Sequence, residues 1–239
     1  MSTDRARCCA IAIMAKAPRV GDAKTRLVPA LSLEEAAALS ACFIRDAAES
    51  IAAAARQAAI EGYIAYAPKG AEAEFHPLLA PETRLLPSLR AGLGASLYDA
   101  AADLLAGGYG SVCLLNSDSP TLPTSVLVEA ARALSVPGDR LVLGPAEDGG
   151  YYLIGLKQAH RRLFEDIAWS TSQVFAQTAE RAREIGIEPV VLPVWYDVDD
   201  IASLRRLYLE LRGGADACAI YAAHHTSVFL QSLLGRNNS

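Results

Sequence analysis

The sequence predicts an α/β layered domain, on three observations. Short apolar runs alternate with longer alanine-rich segments from end to end. Most of those runs are apolar at successive positions, as a sheet covered on both faces requires. No linker, repeat or low-complexity tract divides the 239 residues, so one domain spanning 1–239 is expected. A chain of this length, 52% hydrophobic and 21% charged, buries a sizeable core, which excludes disorder, a collagen-like rod and a coiled coil.

In chain order, strands are expected at 8–14, 62–67, 111–116, 140–143, 151–156 and 189–194. Helices are expected between and after them, at 32–57, 95–105, 124–134, 172–185 and 200–211. Ser32 followed by Glu35 reads as a capping box opening the first helix, and Asp200 reads as the N-cap of the one through Leu211. A further helix is expected at about 216–235, ahead of a polar Arg-Asn-Asn-Ser end.

With 22 Lys and Arg against 27 Asp and Glu, net charge −5, no global positive field draws the chain onto nucleic acid or a membrane surface. Any anion it binds must be held locally. The five cysteines form no CxxC pair and lie mostly in apolar surroundings, which suits reduced thiols in a cytoplasmic protein. The apolar run 8–15 is too short to span a bilayer and ends in Lys16, so neither a signal peptide nor a membrane helix is expected. The adjacent His224 and His225 are poorly spaced for a metal on a helix and are read as packing or surface residues.

In an open α/β sheet the ligand lies beyond the carboxyl ends of the strands. Directly after the first strand, Lys16, Arg19, Lys24 and Arg26 crowd one loop of an acidic protein. Lysines as point charges and arginines as donor forks suit a polyphosphate there. The alternative is a merely solvated basic loop. Pro18 and Ala23 occupy the positions where a Walker loop needs glycine, and no Gly-x-Gly-x-x-Gly follows a predicted strand.

The strand 111–116 runs into Ser117-Asp118-Ser119-Pro120, which brings an acidic residue to the end of a central strand. Asp118 there suits Mg2+ or Mn2+, which prefer carboxylate oxygens, although Ser-Asp-Ser-Pro is also an ordinary turn sequence. Asp197, Asp199 and Asp200 follow the last strand. With Asp200 spent as a cap, Asp197 and Asp199 both face the site, since residues two apart in extended chain point to one side; Asp199, nearer the helix start, is the expected second ligand and Asp197 is held in reserve. Between the strands 140–143 and 151–156, Glu147-Asp148-Gly149-Gly150 reads as a tight hairpin turn that also presents carboxylates and two free N–H groups to a substrate. Trp169-Ser170-Thr171 reads first as a packed aromatic and a helix cap.

Together the segments 15–27, 117–123, 144–156, 169–171 and 197–200, in that order, resemble the bacterial GT-A-fold transferase family associated with arsenosugar biosynthesis, whose members are named nucleotide-diphospho-sugar transferases. The resemblance implies a single GT-A-like domain with a mixed, mostly parallel sheet and helices on both faces. It implies phosphate contacts at Lys16, Lys24 and Arg26, with Arg19 and Ser117 counted among the nucleotide-binding residues. A divalent metal would sit on Asp118 and Asp199, with Asp118 and Asp148 as the catalytic carboxylates. Glu147, Gly149 and Gly150 would line the sugar or acceptor pocket. Relatives carry Gly-Asp-Leu-Gly where this chain has Ala91-Gly92-Leu93-Gly94, so one acidic group is missing. The implied activity is metal-dependent transfer of a sugar from a nucleotide-sugar donor to a small-molecule acceptor. The alternative is nucleotidylyl transfer from a nucleoside triphosphate to a phosphorylated acceptor. A nucleotide-binding protein without catalysis is a third reading, disfavoured by the presence of Asp118, Asp148 and Asp199.

Overall fold

The computed structural model describes residues 5–28, 30–88, 92–213 and 220–237. Seven strands form one sheet: β1 (Cys9–Lys16), β2 (Ile60–Ala67), β3 (Arg84–Pro87), β4 (Ser111–Asn116), β5 (Leu141–Pro145), β6 (Tyr151–Leu156) and β7 (Val190–Val191). Their spatial order is β3-β2-β1-β4-β6-β5-β7, and β6 alone runs against its neighbours β4 and β5. The expected mixed, mostly parallel sheet is therefore observed.

Side chains alternate along each strand, so the sheet buries two different sets. Ile11 and Ile13 of β1 with Cys113 and Leu115 of β4 pack under α1 (Leu33–Ala55) and α4 (Thr124–Ser135). Ala10, Ala12, Val112 and Leu114 face the opposite layer, α3 (Leu93–Ala106) and α5 (Val174–Glu184). The short α2 (Glu72–Phe75) adds Phe75 to the first of these layers. A third cluster joins the N-terminal half of α1 to α6 (Ile201–Leu211) and α7 (His224–Asn237), around Phe43, Leu27, Val198, Leu207 and Leu230.

Both expected caps are present. The Ser32 and Glu35 side chains exchange hydrogen bonds with each other's backbone N–H at 3.1 and 2.9 Å, and Asp200 accepts from the Ser203 N–H at 2.8 Å. Ser32→Ala is expected to cost about 1 kcal/mol, read as a lower urea midpoint at unchanged slope.

Three expectations need correction. The strand expected at 189–194 is two residues long, because Pro189 and Pro193 have no N–H for the ladder; the Leu192 N–H still reaches the Leu143 carbonyl at 2.9 Å, and after the break at Pro193 the Trp195 N–H reaches the Pro145 carbonyl at 3.0 Å. The edge strand β3 was not expected, being four residues that end in proline. The last helix begins at His224, not near 216; residues 214–219 lie outside the described residues. At 220–223 the chain is not helical, and the Tyr221 N–H bonds the Thr121 carbonyl at 3.0 Å.

Candidate active site

The carboxyl ends of β1 and β4, the β5–β6 turn and the segment after β7 enclose a cleft of about 560 Å3. Lys16 stands at the end of β1, Ser117 and Asp118 just past β4, and Asp148 and Gly150 in the turn. Asp197 and Asp199 enter from the segment ahead of α6. That segment is fixed to the β4 loop by a hydrogen bond from the Val198 N–H to the Asp118 carbonyl at 2.9 Å. The Val198 side chain is fully buried in the third cluster, which turns the aspartates on either side of it toward the cleft.

At the centre is Lys24, in the left-handed region at φ 50°. Its ammonium lies 2.8 Å from Asp118 Oδ1, 2.9 Å from Asp199 Oδ1 and 2.8 Å from the Val198 carbonyl, with the side chain only 7% exposed. The Phe43 ring backs it, 5.6 Å from the nitrogen. Burial alone would push this ammonium's pKa down; Asp118 and Asp199 more than offset that, and the net shift is upward. Arg26 is 78% exposed and reaches Asp199 Oδ2 at 3.8 Å. Ser117 Oγ donates to Asp118 Oδ1 at 3.1 Å.

The carboxylates of Asp118, Asp148, Asp197 and Asp199, with the exposed Asp22 of the first loop as a fifth, thus share one cleft with one buried ammonium. The excess negative charge registers on Asp197, whose pKa is pushed up to about 6 by burial first and then by Asp148, Asp199 and Asp118. Because this pKa is higher in the folded than in the unfolded chain, protonated Asp197 stabilises the fold at low pH. That contribution is fully present below about 3.8 and is lost as pH rises through about 6. Asp197→Asn is therefore expected to stabilise the protein above pH 6 by about 1 to 2 kcal/mol after solvent screening, and to change little at pH 4. Urea titrations at the two pH values measure it; equal effects at both would refute it.

Not every expected residue lies at the cleft. The guanidinium of Arg19 is held on the outside by both carboxylate oxygens of Glu74, at 3.0 and 3.2 Å from Nε. Glu147 points the other way, onto Arg206 of α6 at 2.9 Å from both its oxygens, and neither Arg19 nor Glu147 lines the cleft. Gly149 is packed against the Ser172 backbone and accepts the Phe175 N–H at 3.0 Å, so its work is to shape the turn. Gly150 remains at the cleft and donates its N–H to Asp148 Oδ1 at 2.8 Å.

Residues without an expected role also line the cleft. Met14, Leu93, Tyr151, Trp169 and Val174 add apolar side chains to its lining. Asn116 adds an amide whose Oδ1 is buried without a hydrogen-bond partner among the described residues. Its one sequence signal is a polar residue ending an otherwise apolar strand. Gly92 caps α3 at φ 95°, a backbone that aspartate rarely adopts and glycine adopts without strain. Away from the cleft, Asp46, Glu49 and His225 bring three potential ligand atoms within 4.8 Å of one another. Asp46 is already occupied there, accepting the His225 and Thr226 N–H groups of α7 at 3.0 and 2.8 Å, while His225 Nε2 bonds Glu49 at 2.7 Å.

A bacterial protein-family profile, described as "Uncharacterized protein conserved in bacteria (DUF2064)", matches residues 50–171, half of the chain. The chain belongs to the DUF2064 family. No curated protein matches this DUF2064 sequence. A crystal structure from Desulfovibrio desulfuricans, described as a "putative nucleotide-diphospho-sugar transferase", is 28% identical over 94% of both chains, with a TM-score of 0.81. The CTP complex of CMP:2-keto-3-deoxy-manno-octonic acid synthetase aligns over 84% of this chain and 96% of its own at 13% identity, TM-score 0.53. The 4-diphosphocytidyl-2C-methyl-D-erythritol synthase of Anaerococcus prevotii aligns over 87% and 99% at 8% identity, TM-score 0.55. The DUF2064 protein has the nucleotide-diphospho-sugar transferase fold. Among the described residues no helix is long and apolar enough to cross a membrane.

Proposed function

We propose that the protein is a metal-dependent transferase that takes a sugar from a nucleotide-diphospho-sugar donor to a small-molecule acceptor. The observation that carries this reading is the cluster of carboxylates at the C-terminal edge of the sheet, faced by Lys16, Lys24 and Arg26. A donor set of carboxylate oxygens with surplus negative charge, felt in the raised pKa of Asp197, fits a hard divalent cation. Asp118 and Asp199 would hold Mg2+ or Mn2+, with Asp197 beside them. Bound there, the ion would neutralise charge building on the departing diphosphate. Lys16 and Arg26 supply further donors to the phosphates, Arg26 from a side chain free to swing. Asp148, fixed through one oxygen by the Gly150 N–H, is assigned to accept the acceptor's hydroxyl proton. The apolar side chains of Leu93, Tyr151 and Trp169 keep water from the reacting carbon.

The likeness to the Desulfovibrio protein, described as a nucleotide-diphospho-sugar transferase, supports this reading. The likeness of the motifs to arsenosugar-associated transferases extends it to acceptors of that biosynthesis, and the buried free thiols of Cys8, Cys9 and Cys113 suit a cytoplasmic setting. Nucleotidylyl transfer is the second reading, favoured by a basic loop ahead of a carboxylate pair on a fold shared with two cytidylyl-transferring synthetases.

A thermal-shift panel tests both, with Mn2+ or Mg2+ against nucleoside triphosphates, nucleoside diphosphates and nucleotide sugars. Metal-dependent stabilisation by one nucleotide sugar and its diphosphate is the expected result. Stabilisation by a triphosphate alone would replace the first reading with the second, and silence across the panel would overturn both.

A further inference from the structure

We propose that Lys24 is a built-in placeholder for the cation: its ammonium keeps Asp118 and Asp199 together until a divalent ion binds and then yields its place, turning toward the phosphates. The inference rests on the proposed metal site and adds how that site is held before it is filled. Three oxygens surround the Lys24 nitrogen at 2.8 to 2.9 Å, those of Asp118, Asp199 and the Val198 carbonyl, an oxygen cage of the kind a metal would use. Asp118 and Asp199, brought from loops 81 residues apart in sequence, would repel each other without that charge between them. Lys24 holds one oxygen of each aspartate, the two Oδ1 atoms that face each other across its nitrogen, so an ion chelated between those atoms takes the ammonium's place.

Two features make exchange feasible. Lys24 is held in a left-handed backbone that lysine adopts at a cost, so the loop at this point is not at its conformational minimum. The cleft that it lines is the one offered to the phosphates, so the freed ammonium has a charged partner within reach of its flexible stem.

The test measures Mn2+ binding to the full chain without nucleotide, by the loss of the free-ion electron paramagnetic resonance signal. If Lys24 occupies the ion's place, Lys24→Met binds Mn2+ about tenfold more tightly than the wild type or better. Arg26→Met removes the same charge beside Asp199 from an exposed position, and its affinity stays within about threefold. A second measurement needs no variant: trace acetylation of the wild type, read by mass spectrometry against the exposed Lys69, should rise several-fold at Lys24 when Mn2+ is added. Unchanged Mn2+ affinity in Lys24→Met, an equal gain in Arg26→Met, or Lys24 acetylation indifferent to Mn2+ would each overturn the placeholder role while leaving the metal site intact. Absence of Mn2+ binding in every protein would instead overturn the metal-dependent function, and this inference with it.

Discussion

Asp118→Asn is expected to lower turnover by about three orders of magnitude or more while leaving the melting temperature within a few degrees of the wild type. The amide keeps the shape of the carboxylate but not its charge. The backbone bond from the Val198 N–H to the Asp118 carbonyl remains, so the two loops stay joined. What is lost is half of the pair proposed to hold the ion, together with one of the two carboxylates that keep Lys24 charged in a buried place. Product formation from whichever donor the thermal-shift panel identifies, followed by chromatography, gives the rate; circular dichroism gives the melt. Retention of more than a tenth of the wild-type rate in a folded variant would remove Asp118 from the chemistry.

Gly149→Ala is expected to be the most damaging single methyl group near the cleft, at about 3 kcal/mol or more of stability. Two penalties coincide. The backbone stands at φ 88°, and a Cβ there would lie 2.2 Å from the Ser172 carbonyl oxygen, which is main chain and has no flexible end to swing aside. Relief requires the turn to move, and with it Asp148 and Gly150, so activity should fall along with the urea midpoint. A variant as stable as the wild type would contradict the tight docking of this turn.

Strands buried on both faces announce themselves, and β4 and β6 lie where the apolar runs put them. The caps at Ser32 and Asp200 were equally readable, because a cap is a local exchange between residues three apart. β3 was not, since four edge residues against one neighbour leave no period to detect. At the cleft, the strand ends with their Asp118 and Lys16 were legible as positions. Long-range pairings were not: nothing local to Arg19 tells of Glu74, 55 residues on, and nothing local to Glu147 tells of Arg206, 59 residues on. The same holds for Lys24, whose spacing spoke of phosphate while its partners in the fold are carboxylates. Nearness to the helix start favours Asp199 over Asp197 in the sequence, whereas the surplus charge on Asp197 is visible only in the assembled cluster.

The opposed direction of β6 has a mechanical consequence. Because β5 and β6 form a hairpin, both strands meet the cleft through a five-residue connection, Ala146 to Gly150. That connection is moored to three other segments, through the Glu147 N–H on Trp195, the Phe175 N–H on Gly149, and Arg206 on Glu147. The facing wall, from Ala17 to Thr25, is anchored at its base by the Ala17 N–H on Ala67 and on its outside by Arg19 on Glu74; at the cleft its grip is the single ammonium of Lys24. The two walls are therefore fastened unequally: the turn is tied from three sides, whereas the facing loop meets the acid cluster through one lysine, so a change at that lysine bears on one wall and not on the other.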